Sequence, residues 1–358
     1  MTAHGAPGVV GRTVASPAPT TTGLITVAVE FQRDMVASPL IPVVVFLVGI
    51  GLVVWSVEEF VEHVAEAATG IGVSTFLLTV LLAGIDLENA VLGIAAAAGD
   101  LPDVALGTVF GEALFILGAA VGLAGVLVPF EEATPREYLA LTAVSPVLLG
   151  ALSLDGRLSR VDGLVLLVGF APLLWAVYRW EADRSTRYLE AEDADEIQAE
   201  AAEPAGDDED DRDLVELGLV LLAVVGMTAG SELAVMGARD VLDAFDLRGL
   251  AFGATVMSFI ASLEEILLTV EPVREGRPAV GIGNVVGSML FFVTANAGVV
   301  ALVHPVSLSG AVFAVHWPFF LAALALVLAF LLRGSVGRAE GAVLLAVYAG
   351  YWAAIYAW

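Results

Sequence analysis

Apolar runs of about twenty residues recur from one end of this sequence to the other, with short polar breaks between them. About twenty apolar residues wound as a helix cross the ~30 Å hydrocarbon core of a bilayer. The runs fall at roughly 39–57, 72–98, 103–128, 137–154, 162–180, 214–238, 249–271, 279–303, 309–333 and 337–357. Apolar residues make up 58% of the chain, above the roughly 45–50% of soluble domains. The expected fold class is therefore all-α, a polytopic membrane protein of about ten transmembrane helices with the lipid bilayer as its first partner.

Charge narrows the partners further. Acidic residues number 41 against 15 basic ones, for a net charge of −26, and every basic residue is Arg. With no basic patch to offset that acidity, nucleic acid is not expected as a partner. An acid-rich, lysine-free chain suits a protein hydrated in concentrated salt, so a halophilic source is expected. The chain has no Cys, which removes disulfides and thiolate metal sites. Residues 1–38 are rich in Ala, Thr, Pro and Gly and are expected to be disordered. They lack the apolar core of a cleavable signal peptide, and 24–37 could form a short interfacial helix.

Residues 181–213 carry fifteen acids and three arginines, which marks a solvated linker. It separates a first group of five spans, 39–180, from a second group of five, 214–358. With alternating spans and Arg12 left out as far from any span, nine arginines fall on the linker's side of the membrane and five on the other. The positive-inside rule then puts the linker in the cytoplasm and both termini outside a multi-pass cell-membrane protein.

Two stretches repeat. "GIDLENAVLGIAAAAGDLPDVALGTVFGEALFILGAAVG" aligns without a gap on "IASLEEILLTVEPVREGRPAVGIGNVVGSMLFFVTANAG", 176 positions later. Leu87/Leu263, Glu88/Glu264, Pro102/Pro278, Gly107/Gly283, Gly111/Gly287, Phe115/Phe291 and Gly122/Gly298 match. Matched Glu, Pro and Gly are harder to obtain by chance than matched Leu or Val. An odd number of spans per half requires the second half to be inverted. Inverted repeats meeting near the bilayer midplane are the architecture of secondary transporters.

The repeats also hold polar residues where lipid-like runs should be apolar: Asp86, Glu88, Asn89 and Glu112 in the first, Ser262, Glu264, Glu265 and Ser288 in the second. A charged side chain at the centre of a membrane helix costs on the order of 2.5–3.5 kcal/mol. No Arg lies inside the same spans to offset the acids. Protons or bound cations are the remaining remedies. Asp86 and Asn89, three residues apart, share a helix face. Glu88 points about 200° away and joins them only if the helix is broken there; otherwise it is a solvated interfacial acid. Asp86, Asn89, Glu112 and Glu265 are the expected metal ligands. Oxygen donors without His or Cys suit Ca²⁺, Na⁺ or Mg²⁺. Gly107, Gly111, Gly283 and Gly287 are expected to let helix backbones approach closely.

On these residues the paired segments resemble the two alpha-repeats of the cation/calcium exchanger superfamily. That family's repeats run approximately G-T-S-x-P-E-L and then D-I-A-x-G-N-x-x-G-S-N-x-x-N. In the second repeat, "ASLEEI" and "AVGIGNVVGSMLF" place Ser262 on the motif Ser, Glu265 on the ligand Glu, Asn284 on the Asn and Gly287-Ser288 on the Gly-Ser. In the first, Asp86 stands at the Ser, Asn89 at the Glu, Thr108 at the Asn and Glu112 at the Ser. The sequence departs from the family where Glu88 and Glu264 replace its Pro, and where Ile85 and Ala261 replace its Thr. Ile85 and Ala261 could still offer backbone carbonyls from an unwound helix. Ile116 and Phe292 replace two further polar ligands.

The resemblance implies a secondary antiporter, not an enzyme, with no cofactor and with small cations as cargo. It implies Ca²⁺ exchanged for Na⁺ by alternating access at a midplane carboxylate site. Carboxylates crowded in one place also suit protons, so an H⁺-coupled antiporter of Ca²⁺ or Na⁺ is the alternative. Two other classes fit the sequence less well. "EEATPR" at 131–136 fits an intramembrane-protease pattern with Glu131 and Glu132, but His304 and His316, placed near span ends, supply no convincing partner motif. A non-transporting sensor would have no need of two inverted cation motifs.

Overall fold

The computed structural model describes residues 40–70, 86–182 and 209–358. The expectations for the N-terminal segment, for residues 72–85 with Ile85, and for most of the acidic linker lie outside the described residues. Residues 42–358 make one compact unit; of residues 1–41 only Leu40 and Ile41, at the start of the first helix, are described.

The helices are α1 (Leu40–Gly70), α2 (Leu87–Ala98), α3 (Pro102–Leu114) and α4 (Val121–Leu127), then α5 (Arg136–Leu152), α6 (Arg160–Ala182) and α7 (Glu209–Phe245). They continue with α8 (Gly249–Phe252), α9 (Ser258–Ala261), α10 (Glu264–Arg274), α11 (Pro278–Leu290), α12 (Ala297–Val303), α13 (Trp317–Leu332) and α14 (Arg338–Ala357). Wide π-type turns join α3 to α4 (Phe115–Ala120), α8 to α9 (Gly253–Met257) and α11 to α12 (Phe291–Asn296), and a fourth (Val312–His316) leads into α13. Among the described residues seven helical spans are long and apolar enough to cross a membrane. An eighth forms if α8–α9 and α10, bent by 47° at their junction, count as one. Of the ten expected spans, α2 is a helix of 12 described residues and α5 one of 17.

Burial sorts these helices into centre and periphery. In an apolar stretch of 18 residues within each span, 89% of the residues are buried in Pro102–Leu127 and in Pro278–Val303, against 17% in Gly218–Phe245 and 22% in Arg160–Trp180. On α1, Phe46, Ile50, Val53 and Val57 are buried at helical spacing, while Leu40, Val44, Val48 and Trp55 are exposed. Both stripes are apolar, as lipid on one side and protein on the other require.

Elements recur at the offset seen in the sequence. α3 and α11 both begin with Pro at the first turn, run thirteen residues and enter a six-residue wide turn. Packing then crosses between the halves. The α4 helix lies on α14, where a Cβ on Gly122 would meet the Gly341 carbonyl at 3.1 Å. The α12 helix lies on α6 in the same way, with a Cβ on Gly298 meeting the Gly163 carbonyl at 2.8 Å. Close backbone contact of this kind holds helices together where lipid removes the hydrophobic drive. Short antiparallel ladders repeat the exchange: β1 (Phe130–Glu131) pairs β4 (Ser335–Val336), and β2 (Arg157–Leu158) pairs β3 (Val306–Ser307).

Candidate cation-binding site

The site lies where α2, α3, α10, α11 and the turn ending at Asn296 meet. Its first device is a pair of helix starts. α2 begins at Leu87, with Asp86 in extended conformation as its N-cap. Asp86 Oδ1 accepts from the Asn89 backbone N–H at 2.9 Å, as Asp does for an otherwise unpaired first-turn amide. Asp86 therefore does not share a helix face with Asn89, as the spacing suggested; it caps the helix that carries Asn89. The described helix starts here, with Glu88 in its first turn. One ligand oxygen each from Asp86, Glu88 and Glu264 lies within 4.8 Å of the others, with Glu88 buried and the other two half-buried.

A helix break falls between Ala261 and Glu264. Ser262 has φ −102° and ψ 18°, and the Glu265 N–H turns to the Ser262 carbonyl at 3.2 Å. That releases the Ala261 carbonyl from its usual helical partner and turns α10 away from α9. This break thus forms without the family's Pro. Two acids in the first turn of α10, Glu264 and Glu265, also meet the positive end of the helix.

Three carboxylates are each met by an amide. Asn89 Nδ2 donates to Asp86 Oδ2 at 2.5 Å and approaches Ser262 Oγ at 3.4 Å. Asn284 Nδ2 donates to Glu265 Oε2 at 2.5 Å, and Ser288 Oγ donates to Glu265 Oε1 at 3.0 Å. Asn296 Nδ2 donates to Glu112 Oε2 at 2.8 Å. Asn89, Asn296 and Ser262 are fully buried, and Glu112, Glu265 and Ser288 nearly so. Asp86 interacts electrostatically with Glu88, Glu112 and Glu265, so the candidates share one field.

The packing expectation for Gly107 and Gly111 meets a physical reason. A Cβ on Gly107 would lie 2.5 Å from the Leu250 carbonyl, and one on Gly111 2.6 Å from the Ala254 carbonyl. Gly283 and Gly287 are buried in α11. Asn284 was visible in the motif without being named a site residue, and Thr269, 3.3 Å from Asn284 Nδ2, was not named at all. Asn296 was missed too, although an amide inside "FFVTANAG" was a signal of the same kind as the acids. The protease pattern sits elsewhere: Glu131 is exposed in β1. His316 lies deeper than a span end, fully buried with Nδ1 2.8 Å from the Tyr351 hydroxyl oxygen.

The model of the sodium/calcium exchanger protein family matches residues 41–179 and 215–357. The chain belongs to that family. It is a multi-pass membrane protein and a cation antiporter rather than an enzyme. CaxA of Alkalimonas amylolytica is 29% identical over 324 residues, covering 87% of this chain and 98% of its own length. Inner membrane protein YrbG of Escherichia coli (strain K12) is 26% identical over 275 residues, 74% of this chain and 81% of its own. A solved structure of the sodium-calcium exchanger NCX_Mj, soaked with 2.5 mM Na⁺ and 0.1 mM Ca²⁺, has the same fold at a TM-score of 0.53 and 21% identity, over 86% of this chain and 96% of that one.

Proposed function

We propose that this antiporter exchanges Ca²⁺ for Na⁺ across the cell membrane. Its two halves are inverted five-helix repeats, and alternating access occurs at the carboxylate site. The observation that carries this reading is the convergence of oxygen ligands from both halves. Asp86 and Glu88 come from one half, Glu264 and Glu265 from the other, with the Ser262 hydroxyl against the Asn89 amide and the Ser288 hydroxyl against Glu265. Ca²⁺ takes six to eight oxygens and prefers sites with more than one carboxylate. A half-buried cluster at Asp86, Glu88 and Glu264 is suited to taking a cation from solvent, and Glu265 with Ser288 to holding it deeper. Glu112, Asn89 and the Ala261 carbonyl complete the set. Occupancy by one cation excludes the other, which couples the two fluxes. In the membrane the acidic linker faces the cytoplasm and both termini face outward, following the Arg bias.

A proton-coupled exchange is the second reading. It is favoured by the pairing of Glu88 with Glu264, two carboxyls that approach closely and can share a proton.

Calcium flux into reconstituted vesicles, driven in parallel by a Na⁺ gradient and by a pH gradient, separates these readings. Uptake that follows Na⁺ and disappears in Glu265→Gln supports the first. Uptake that follows only the pH gradient supports the second, and flux under neither gradient ends the calcium assignment.

A further inference from the structure

At one end of the bundle, helix ends surround a cleft of about 400 Å³. α3 begins there at Pro102 and α8 at Gly249, and α14 finishes there at Ala357. The volume is that of a small-molecule site. The spans Pro102–Leu127 and Arg338–Ala357 start and finish at this cleft, which sets it at the depth of the bilayer's headgroups.

Its walls carry one charge of each sign. Asp103 stands in the first turn of α3, and Arg248 immediately precedes α8. The two are neighbours: a Cβ on Gly249, the residue after Arg248, would lie 3.3 Å from Asp103 Cβ. They do not meet. Arg248 Nη2 donates to the Ile355 carbonyl at 3.2 Å, and Asp103 has no hydrogen bond or ion pair among the described residues. A guanidinium has five N–H donors, so most of those on Arg248 are left over. Ser309 adds a hydroxyl to the wall, and Leu250, Ile355 and Trp358 make the rest of it apolar.

We propose that this cleft binds the headgroup of a zwitterionic phospholipid, its phosphate on Arg248 and Ser309 and its ammonium on Asp103. A simple anion meets Arg248 but is repelled by Asp103, and a simple cation meets the reverse. A ligand carrying both charges satisfies both, and Arg with phosphate is a strong charge-assisted pair. The apolar walls and the depth favour a lipid over a dissolved zwitterion, because its acyl chains continue into the bilayer while an exposed Trp358 stands where interfacial Trp is enriched. The site uses none of the carboxylates assigned to cations. Its occupancy links the end of α14 to the starts of α3 and α8.

The test is the Tm of the purified full-length protein in detergent micelles, titrated with phosphatidylethanolamine, with phosphatidylglycerol or with the free headgroup O-phosphoethanolamine. A ligand that binds the folded state raises Tm as it fills its site. Phosphatidylethanolamine should act on the wild type at a concentration roughly tenfold below that of phosphatidylglycerol, which has the phosphate without the ammonium, and O-phosphoethanolamine only far above both. Asp103→Asn should raise the phosphatidylethanolamine midpoint about tenfold and bring the two lipids level, and Arg248→Gln should weaken both lipids about tenfold. Equal wild-type responses to the two lipids, or a phosphatidylethanolamine midpoint unchanged in Asp103→Asn, overturn the proposal. So does O-phosphoethanolamine acting at the lipid's own concentration, which marks a dissolved zwitterion instead. The wild-type comparison and Asp103→Asn keep the test decisive if Arg248→Gln, which loses its bond to α14, does not fold.

Discussion

Glu265 and Glu112 are both carboxylates buried in the middle of the bundle, and their surroundings are built in opposite ways. Glu265 is completed within its own half: Asn284 takes one oxygen, Ser288 the other, and Thr269 backs the amide. Shifted by 176 positions, these four residues correspond to Asn89, Thr108, Glu112 and Gly93. The acid has therefore moved from the start of one helix to the middle of the next, and the hydroxyl behind it has gone. Glu112 takes its amide from the other half instead, and Asn296 reaches it past the backbone at Gly93. One half can shape its carboxylate alone; the other needs the assembled bundle.

That contrast is open to breakage, and the largest effect is expected at Glu265. Glu265→Gln removes the charge that two donors are arranged to meet, and Ca²⁺ uptake into vesicles should fall at least a hundredfold. Glu112→Gln should lower the same flux about tenfold and raise the Na⁺ concentration needed for half-maximal exchange. Equal losses in the two variants would mean that the two carboxylates do the same work.

Packing comes next. Gly111→Ala drives a methyl against the Ala254 carbonyl at 2.6 Å, and overpacking of this kind costs about 1–3 kcal/mol. A clear drop in Tm is expected there, whereas Gly51→Ala, with nothing within 4 Å of its Cβ, should leave Tm nearly unchanged. The smallest effect should be that of Ser288→Ala. It removes one hydrogen bond to Glu265 while Asn284 keeps the other oxygen, a loss of about 1 kcal/mol. The Ca²⁺ concentration for half-maximal uptake should rise about fivefold, and a larger change would show that Ser288 touches the ion itself.

Much of the site was legible in advance, because acids and amides stand out in apolar runs whatever their contacts. Asp86, Glu88, Asn89, Glu112, Glu264 and Glu265 could all be picked out that way, and Gly107 and Gly111 by their spacing. What could not be read was direction. Asp86 and Asn89 looked like two residues on one helix face, but Asp86 closes the N-terminus of the helix that Asn89 rides on. The helix break in the second half, with Glu264 in place of Pro, could not be read either. Acids in the first turn of α10 and i→i+3 hydrogen bonds around Ser262 make it, while in the first half Asp86 caps the start of α2. Asn296 was passed over because an even helix period carries no sign of the wide turn, Phe291–Asn296, that it closes.

The sequence by itself determined that this chain crosses a membrane as helices and that its polar residues stand at corresponding positions of two repeats. Hydropathy is summed residue by residue, and a gapless repeat can be seen without coordinates. Only the tertiary structure decided which oxygens meet. The Glu112–Asn296 contact joins residues 184 apart, and its length depends on how two wide turns and a missing Cβ set helices against one another. A change of a few tenths of an ångström there decides whether an acceptor is satisfied, and no local pattern records distances of that size.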